Sequence, residues 1–141
     1  MKIRSILVLA AVTVISLSLI SCIVTSRATG VDISCQQFSE NPNSMRNNFE
    51  VEIGDKITVK LCSNPTTGFE WEYEMTGDNV LMEEDYDFEE PEDGAVGAAG
   101  TEVWTFEATE TGEAEVRMEY RRSWEEEEQA EWTYFFTVIV E

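Results

Sequence analysis

The sequence predicts an all-β protein, an immunoglobulin-like β-sandwich of about seven or eight strands that follows an N-terminal signal/lipobox segment. Three observations carry this prediction. Stretch after stretch beyond residue 22 alternates apolar and polar residues with period two, the pattern of half-buried strands. Turn signals of Gly, Pro, Asn and Asp recur roughly every ten residues. No stretch after Cys22 shows a convincing helical period, and no internal repeat is visible.

Residues 1–21 are predicted to be a signal peptide. Lys2 and Arg4 form a short basic region, and residues 6–20 form an uncharged apolar run, short for a spanning helix of about 20 residues. The run ends in Leu-Ile-Ser-Cys at Cys22, which resembles the lipobox of bacterial-type lipoproteins, whose cysteine is lipidated. An ordinary signal peptide or a single anchoring helix are the alternatives. All three predict export, and the lipobox predicts a membrane-anchored lipoprotein of the cell envelope.

After Cys22 we expect a lipid-anchor tether over residues 22–30 and one immunoglobulin-like domain over residues 31–141. The mature chain of 120 residues (141 minus 21) is long enough for a single core. The predicted strands cover residues 31–35, 49–53, 56–61, 69–75, 80–88, 101–108, 113–121 and 132–140.

Each predicted strand has its own signal. Residues 49–53 place three apolar side chains around two glutamates, and residues 69–75 place four around three glutamates. Residues 80–88 alternate more weakly and depend on Tyr86 and Phe88. The cleanest alternation in the chain is in residues 113–121. The final strand also carries apolar residues on its second face.

Composition narrows the classes of function. The formal charge is −20, and removal of Lys2 and Arg4 with the signal peptide leaves −22 (−20 minus 2). A domain this acidic is repelled by nucleic acid and by anionic membrane surfaces. Because there is no histidine and no Gly-x-Ser-x-Gly turn, the apparatus of nucleophilic catalysis is missing from the sequence. We therefore predict a monomeric non-enzyme without a cofactor or metal.

Residues 83–93 contain eight acids, and residues 125–128 are four consecutive glutamates. Oxygen-rich clusters can bind calcium, but the spacing matches no EF-hand loop. We interpret both stretches as solvated acidic surface, the first as an edge that discourages strand-to-strand aggregation.

Cys35 and Cys62 remain after Cys22, and two cysteines in an exported domain suggest a disulfide closing a loop of about 28 residues. Two unpaired thiols are the alternative. Cys35 is in phase with the apolar positions of its strand, whereas Cys62 is in phase with Lys56 and Lys60. Pairing therefore requires Cys62 to lie at a strand end where the alternation breaks.

Three loops have an unusual composition for simple connections between strands. Two of them are built from rigid or small residues, and the third contains an aromatic residue among charged ones. A turn rich in Pro, Gly and Thr follows residue 63, a Gly/Ala loop ends at residue 100, and Trp124 lies among charges in a third loop. The other tryptophans, Trp71, Trp104 and Trp132, fall on apolar strand faces and are predicted core residues. An exposed loop Trp is typical of a binding anchor, and a Trp folded back over the sandwich end is the alternative. These loops are alternate connections, which cluster at one end of such a sandwich.

Together the three loops resemble the chagasin-type inhibitors of papain-like cysteine peptidases, immunoglobulin-like domains with three inhibitory loops. The family patterns are Asn-Pro-Thr-Thr-Gly-aromatic, Gly-x-Gly-Gly and Arg-Pro-Trp. The first is intact, Ala99 replaces a Gly of the second, and Ser123 replaces the Pro of the third. The matching residues are Asn64, Pro65, Thr66, Thr67, Gly68 and Phe69, then Gly97, Ala98, Ala99 and Gly100, and then Arg122, Ser123 and Trp124.

The resemblance implies a reversible, competitive wedge that binds a papain-like cysteine peptidase. The first turn would lie over the catalytic Cys and His of the peptidase, and the other two loops would occupy the substrate cleft on either side. No covalent bond is required. A non-inhibitory cell-surface binding or structural module on the same fold is the alternative.

Overall fold

The computed structural model describes residues 25–91, 94–125 and 129–141. These residues form eight strands, one short α-helix and one 3₁₀ turn. In chain order the elements are β1 (Ala28–Ile33), α1 (Cys35–Glu40), β2 (Met45–Val51), β3 (Lys56–Ser63), the 3₁₀ turn (Pro65–Thr67), β4 (Glu70–Gly77), β5 (Leu81–Glu89), β6 (Gly100–Ala108), β7 (Gly112–Arg121) and β8 (Trp132–Val140).

The strands form two four-stranded sheets, which confirms the predicted immunoglobulin-like sandwich. One sheet has the order β1-β3-β6-β5 and the other β2-β8-β7-β4. The pairs β1/β3 and β2/β8 are parallel, and the remaining neighbours are antiparallel. Because β3, β5 and β7 all lead towards the same end of the sandwich, the loops that follow them share that end.

A single core lies between the sheets. Alternate residues of each strand face inward, so that β3 buries Ile57, Val59 and Leu61 completely. Phe106 of one sheet packs against Phe136 of the other with ring centroids 5.8 Å apart. The three tryptophans predicted for the core, Trp71, Trp104 and Trp132, are buried in it or packed against it.

The expectation that no helix follows Cys22 is wrong. Cys35, predicted to end the first strand, is instead the first residue of α1. Ser34 caps this helix: its hydroxyl accepts from the Gln37 N–H at 3.4 Å, and the Gln37 side chain accepts from the Ser34 N–H at 3.0 Å. Ser34 and Gln37 are the sequence signal for this capping box. Six residues are too few to show a helical period.

Most strand boundaries differ from the prediction by one to four residues, and the first two strands differ most. Residues 28–30, assigned to the tether, belong to β1, which pairs with β3 from Ala28 onward. Ile53, assigned to the second strand, lies in a turn and is 51% exposed. Asp55 shapes that turn, since its carboxylate accepts from the backbone N–H groups of Arg27 at 2.7 Å and Glu52 at 3.0 Å. These hydrogen bonds lower the pKa of Asp55.

The predicted disulfide joins Cys35 to Cys62, with Cα atoms 5.1 Å apart. The alternation of β3 breaks where the pairing required it, because Leu61, Cys62 and Ser63 are all buried. The bond fixes α1 to the end of β3, immediately before the loop that begins at Asn64.

The first acidic stretch lies largely on β5, an edge strand whose residues from Met82 to Asp87 are exposed. In the described part of the chain, no group of acids or cysteines is arranged to hold a metal ion. The same part contains no helix long and apolar enough to cross a bilayer. Residues 92–93 and 126–128 of the acidic stretches, the signal peptide and Cys22 lie outside the described residues.

Candidate functional site

The turn over residues 64–69 is held by its own side chains. Pro65 opens the 3₁₀ turn, and the Asn64 side-chain oxygen accepts from the Thr66 N–H at 3.3 Å and from the Thr66 hydroxyl at 2.6 Å. The Asn64 carbonyl oxygen accepts from the Thr67 N–H at 3.1 Å and from the Thr67 hydroxyl at 2.6 Å. Pro65, Thr66 and Thr67 are nevertheless exposed, so the tip is both ordered and accessible.

Gly68 ends the turn in a conformation that side chains rarely adopt. Its φ is 80°, in the left-handed region, and its N–H donates to the Pro65 carbonyl oxygen at 3.0 Å. A Cβ at this position would also collide with the indole of Trp124. Gly68 therefore suits the left-handed backbone angle and leaves room for the ring edge of Trp124 beside the turn.

The three loops meet at one end of the sandwich, as the sequence predicted. The Asn64 side-chain NH₂ donates to the Gly97 carbonyl oxygen at 2.9 Å, which joins the first loop to the second. Arg122 Nε donates to the Thr67 carbonyl oxygen at 3.3 Å, and the guanidinium lies 4.5 Å from the centre of the Phe69 ring. Arg122 thus joins the third loop to the first.

Trp124 is 66% exposed, and its ring edge contacts Gly68. It does not fold back over the sandwich end, which was the alternative from the sequence. Ser123 is exposed beside it. Arg122 is also paired with Glu125, whose carboxylate lies 3.2 Å from the guanidinium, so the base of this loop is held from two sides.

The residues of the Gly/Ala loop differ from one another in exposure and in backbone conformation. Gly97 is exposed with φ of 81°, and Ala98 and Ala99 are half-buried. No non-glycine residue in the described chain has positive φ, so Ala99 does not need the freedom of the Gly it replaces. Gly100 is buried at the start of β6, where it pairs with Ser63. Gly100 therefore supports the base of the loop and is not exposed for contact with a partner.

Glu102 lies behind these loops as a buried acid that our sequence prediction missed. It is 2% exposed, and Ser63 Oγ donates to its carboxylate at 2.6 Å. Burial raises the pKa of Glu102. The hydrogen bonds from the Ser63 hydroxyl, the Trp71 N–H and the Tyr86 hydroxyl lower it, but burial is the larger effect. The available signal was its phase, since Glu102 lies on the same face of its strand as the inward-facing residues Phe106 and Ala108.

Comparisons with known proteins agree with this geometry. The family model described as "Chagasin family peptidase inhibitor I42" matches residues 50–138, more than half of the chain. Chagasin of Trypanosoma cruzi is 32% identical over 79 residues, which cover 52% of this chain and 71% of that protein.

Solved structures share the fold. The cysteine protease inhibitor EhICP2 from Entamoeba histolytica superposes with a TM-score of 0.65 at 15% identity, covering 83% of this chain and 100% of that one. PbICP-C, solved in complex with falcipain-2, gives 0.51 at 11% identity, covering 82% and 98%. The sequence matches, on a sandwich that carries all three loops at one end, show that the chain belongs to the chagasin family of peptidase inhibitors.

Proposed function

We propose that this protein is a reversible, competitive inhibitor of papain-like cysteine peptidases that acts as a monomer and blocks the active-site cleft with three loops. The observation that carries the proposal is the turn over residues 64–69, which is ordered by internal hydrogen bonds and exposed at its tip. Membership of an inhibitor family supports the activity, and it also supports the prediction that the chain is not an enzyme.

The physical basis is preorganisation. A turn whose hydroxyl groups are already bonded to its own backbone and side chain loses little conformational entropy when it docks. No residue between Pro65 and Gly68 is charged, so the tip enters a cleft without the cost of removing water from an ion. It would lie over the catalytic Cys and His and exclude substrate from them, without forming a covalent bond.

The flanking loops complete the wedge. Trp124 offers a large exposed ring beside the turn, the type of side chain that dominates binding energy at interfaces. Gly97, Ala98 and Ala99 would approach the opposite wall of the cleft, where small side chains allow close contact. Typical protease–inhibitor interfaces bury about 1,600 Å² in total and can be very tight.

The test is inhibition of papain and of cathepsin L by the chain without residues 1–21. We expect hydrolysis to fall with inhibitor concentration and to recover as substrate is increased, the signature of competition. Thr67→Arg should raise the inhibition constant at least about 100-fold, because a long charged side chain at the tip obstructs the fit. Thr111→Arg is the matched control in an exposed turn at the opposite end, and it should inhibit like the wild type.

Undiminished hydrolysis at micromolar inhibitor would rule out this activity for these peptidases. A well-folded domain without peptidase affinity would favour the alternative of a non-inhibitory surface module. Equal losses of inhibition in Thr67→Arg and Thr111→Arg would mean that the binding surface lies outside the three loops.

We propose further that the chain is exported and anchored to a membrane through a lipid on Cys22. The support is the basic region, the short apolar run and the Leu-Ile-Ser-Cys sequence described above. Expression of the full chain with a labelled fatty acid should label the wild type. Cys22→Ala should abolish that label, and labelling that survives the substitution would contradict the assignment.

A further inference from the structure

We infer that Tyr120 is a positioning residue for inhibition, because its side chain holds the turn over residues 64–69 at both ends. This inference rests on the proposed function and goes beyond it. The three family loop patterns do not include Tyr120. In the sequence it is one more apolar position in the alternation of residues 113–121.

The hydroxyl holds the first end of the turn. Tyr120 is 3% exposed on β7, and its oxygen accepts a hydrogen bond from the Asn64 N–H at 2.7 Å. Asn64 in turn accepts from Thr66 and Thr67 and donates to Gly97. A bond that fixes the Asn64 backbone therefore fixes the residue from which the tip and the link to the second loop are both built.

The ring holds the other end. Tyr120 stacks on Phe69 with centroids 5.2 Å apart and planes at 26°, and the Arg122 guanidinium also lies over the Phe69 ring, 4.5 Å from its centre. The backbone of Tyr120 also closes the base of the third loop, since its carbonyl oxygen accepts from the Glu131 N–H at 2.9 Å. One residue thus contacts the roots of two loops.

The ring itself cannot easily move. Tyr120 also stacks on Trp132 with centroids 4.9 Å apart and planes at 11°, and Trp132 stacks on Phe38 of α1 at 5.1 Å and 10°. The disulfide joins α1 to β3, so the end of this aromatic column is tied covalently to the sheet. Phe38, Trp132, Tyr120 and Phe69 form a continuous stack that aims the Tyr120 hydroxyl at Asn64.

The test must separate positioning from ordinary core packing. Tyr120→Phe keeps the ring stack and removes only the hydroxyl oxygen. Tyr134→Phe is the matched control: Tyr134 is fully buried on the neighbouring strand, and its hydroxyl donates to the Asn47 side chain at 3.1 Å rather than to a loop. Both variants lose one tyrosine hydroxyl and keep a phenyl ring.

We expect Tyr120→Phe to raise the inhibition constant against papain about tenfold, which corresponds to about 1.4 kcal/mol. Amide hydrogen exchange of Asn64, followed by NMR, should accelerate in the free protein. Tyr134→Phe should leave both quantities within about twofold of the wild type, even if it lowers thermal stability as much as Tyr120→Phe does.

Unchanged inhibition by Tyr120→Phe, or an equal loss in Tyr134→Phe, would overturn the inference. Failure of the proposed function has a different result, since the wild-type protein itself would then not inhibit. In that case the exchange measurement still decides whether the hydroxyl orders the turn, and an unchanged Asn64 rate would refute the claim.

Discussion

The turn over residues 64–69 and the Gly/Ala loop over residues 94–100 lie side by side, yet they are ordered in different ways. Five hydrogen bonds lie within the turn: two to the Asn64 side chain, two to its carbonyl oxygen and one from Gly68 to Pro65. The described hydrogen bonds of the Gly/Ala loop include one from the Gly94 N–H to Pro91 at 2.9 Å and one from the Ala98 N–H to Ala95 at 3.1 Å, and Val96 is fully exposed.

The difference indicates a division of roles. The turn has a shape of its own, whereas the Gly/Ala loop takes part of its position from the turn, through the hydrogen bond from Asn64 to Gly97. The intact family pattern belongs to the self-ordered turn, and the departures at Ala99 and Ser123 fall in the two loops that flank it. We therefore expect affinity to depend most on the turn.

For the comparison of these two loops, the largest expected effect comes from a pair of glycine substitutions. Gly68 and Gly97 have φ of 80° and 81°, so an alanine at either position costs about 1–2 kcal/mol of backbone strain. Only at Gly68 does the new Cβ also strike Trp124, while a Cβ at Gly97 meets open space. Gly97→Ala should raise the inhibition constant by about tenfold at most, and Gly68→Ala by roughly a further tenfold.

Inhibition assays of the two variants measure this comparison directly, because the strain is the same and only the contact with Trp124 differs. Equal losses would mean that the Trp124 contact is unimportant. A larger loss in Gly97→Ala would reverse the roles we assign to the two loops.

A smaller effect concerns the buried carboxyl that joins the roots of both loops. Glu102 lies on β6, just after the Gly/Ala loop, and accepts from Ser63, just before the turn. Because burial raises its pKa, the folded state favours the protonated form. Its contribution to stability is complete below the ordinary glutamate value of 4.5 and is lost as the pH rises through the higher folded value.

The Tm values of the wild type and of Glu102→Gln, measured by thermal unfolding, should therefore converge or cross as the pH rises. As the pH rises above 4.5, we expect the wild-type Tm to fall relative to that of the variant. Glu72→Gln, at an exposed position on β4, is the matched control substitution. Asp55 affects stability in the opposite direction, because its pKa is lowered in the folded state and its contribution is lost as the pH falls. That loss occurs below pH 3.8 and does not overlap with the Glu102 effect. A constant difference between wild type and Glu102→Gln would contradict the assignment.

The smallest effect is expected where the sequence departs from the family pattern. Ala99 has negative φ and packs against the core, so restoring the family residue with Ala99→Gly relieves no strain. It should instead lower stability by about 0.4–1 kcal/mol, because glycine has more freedom in the unfolded chain. Inhibition should change less than about threefold. A clear gain in affinity would show that the methyl group obstructs the target.

Local patterns predicted the sheets well and the supports of the site poorly. The eight strands follow from period-two alternation, and the three loops follow from turn chemistry and a resemblance to the family. The helix α1 was missed because its capping box is the only local signal. The bond between Tyr120 and Asn64 joins residues 56 positions apart, and the pattern shows Tyr120 only as another inward-facing residue. Such partners are chosen by the folded arrangement, not by neighbouring residues.

The parallel pairing of β1 with β3 determines which way the domain points. Both strands run towards the three loops, so the chain enters the fold at the opposite pole, and β8 returns its last residue, Glu141, to that pole as well. With a lipid on Cys22, as we propose, only five residues separate the membrane from β1, at most about 18 Å when extended. The domain would then lie close to the bilayer, with its three loops at the pole that faces away from the membrane.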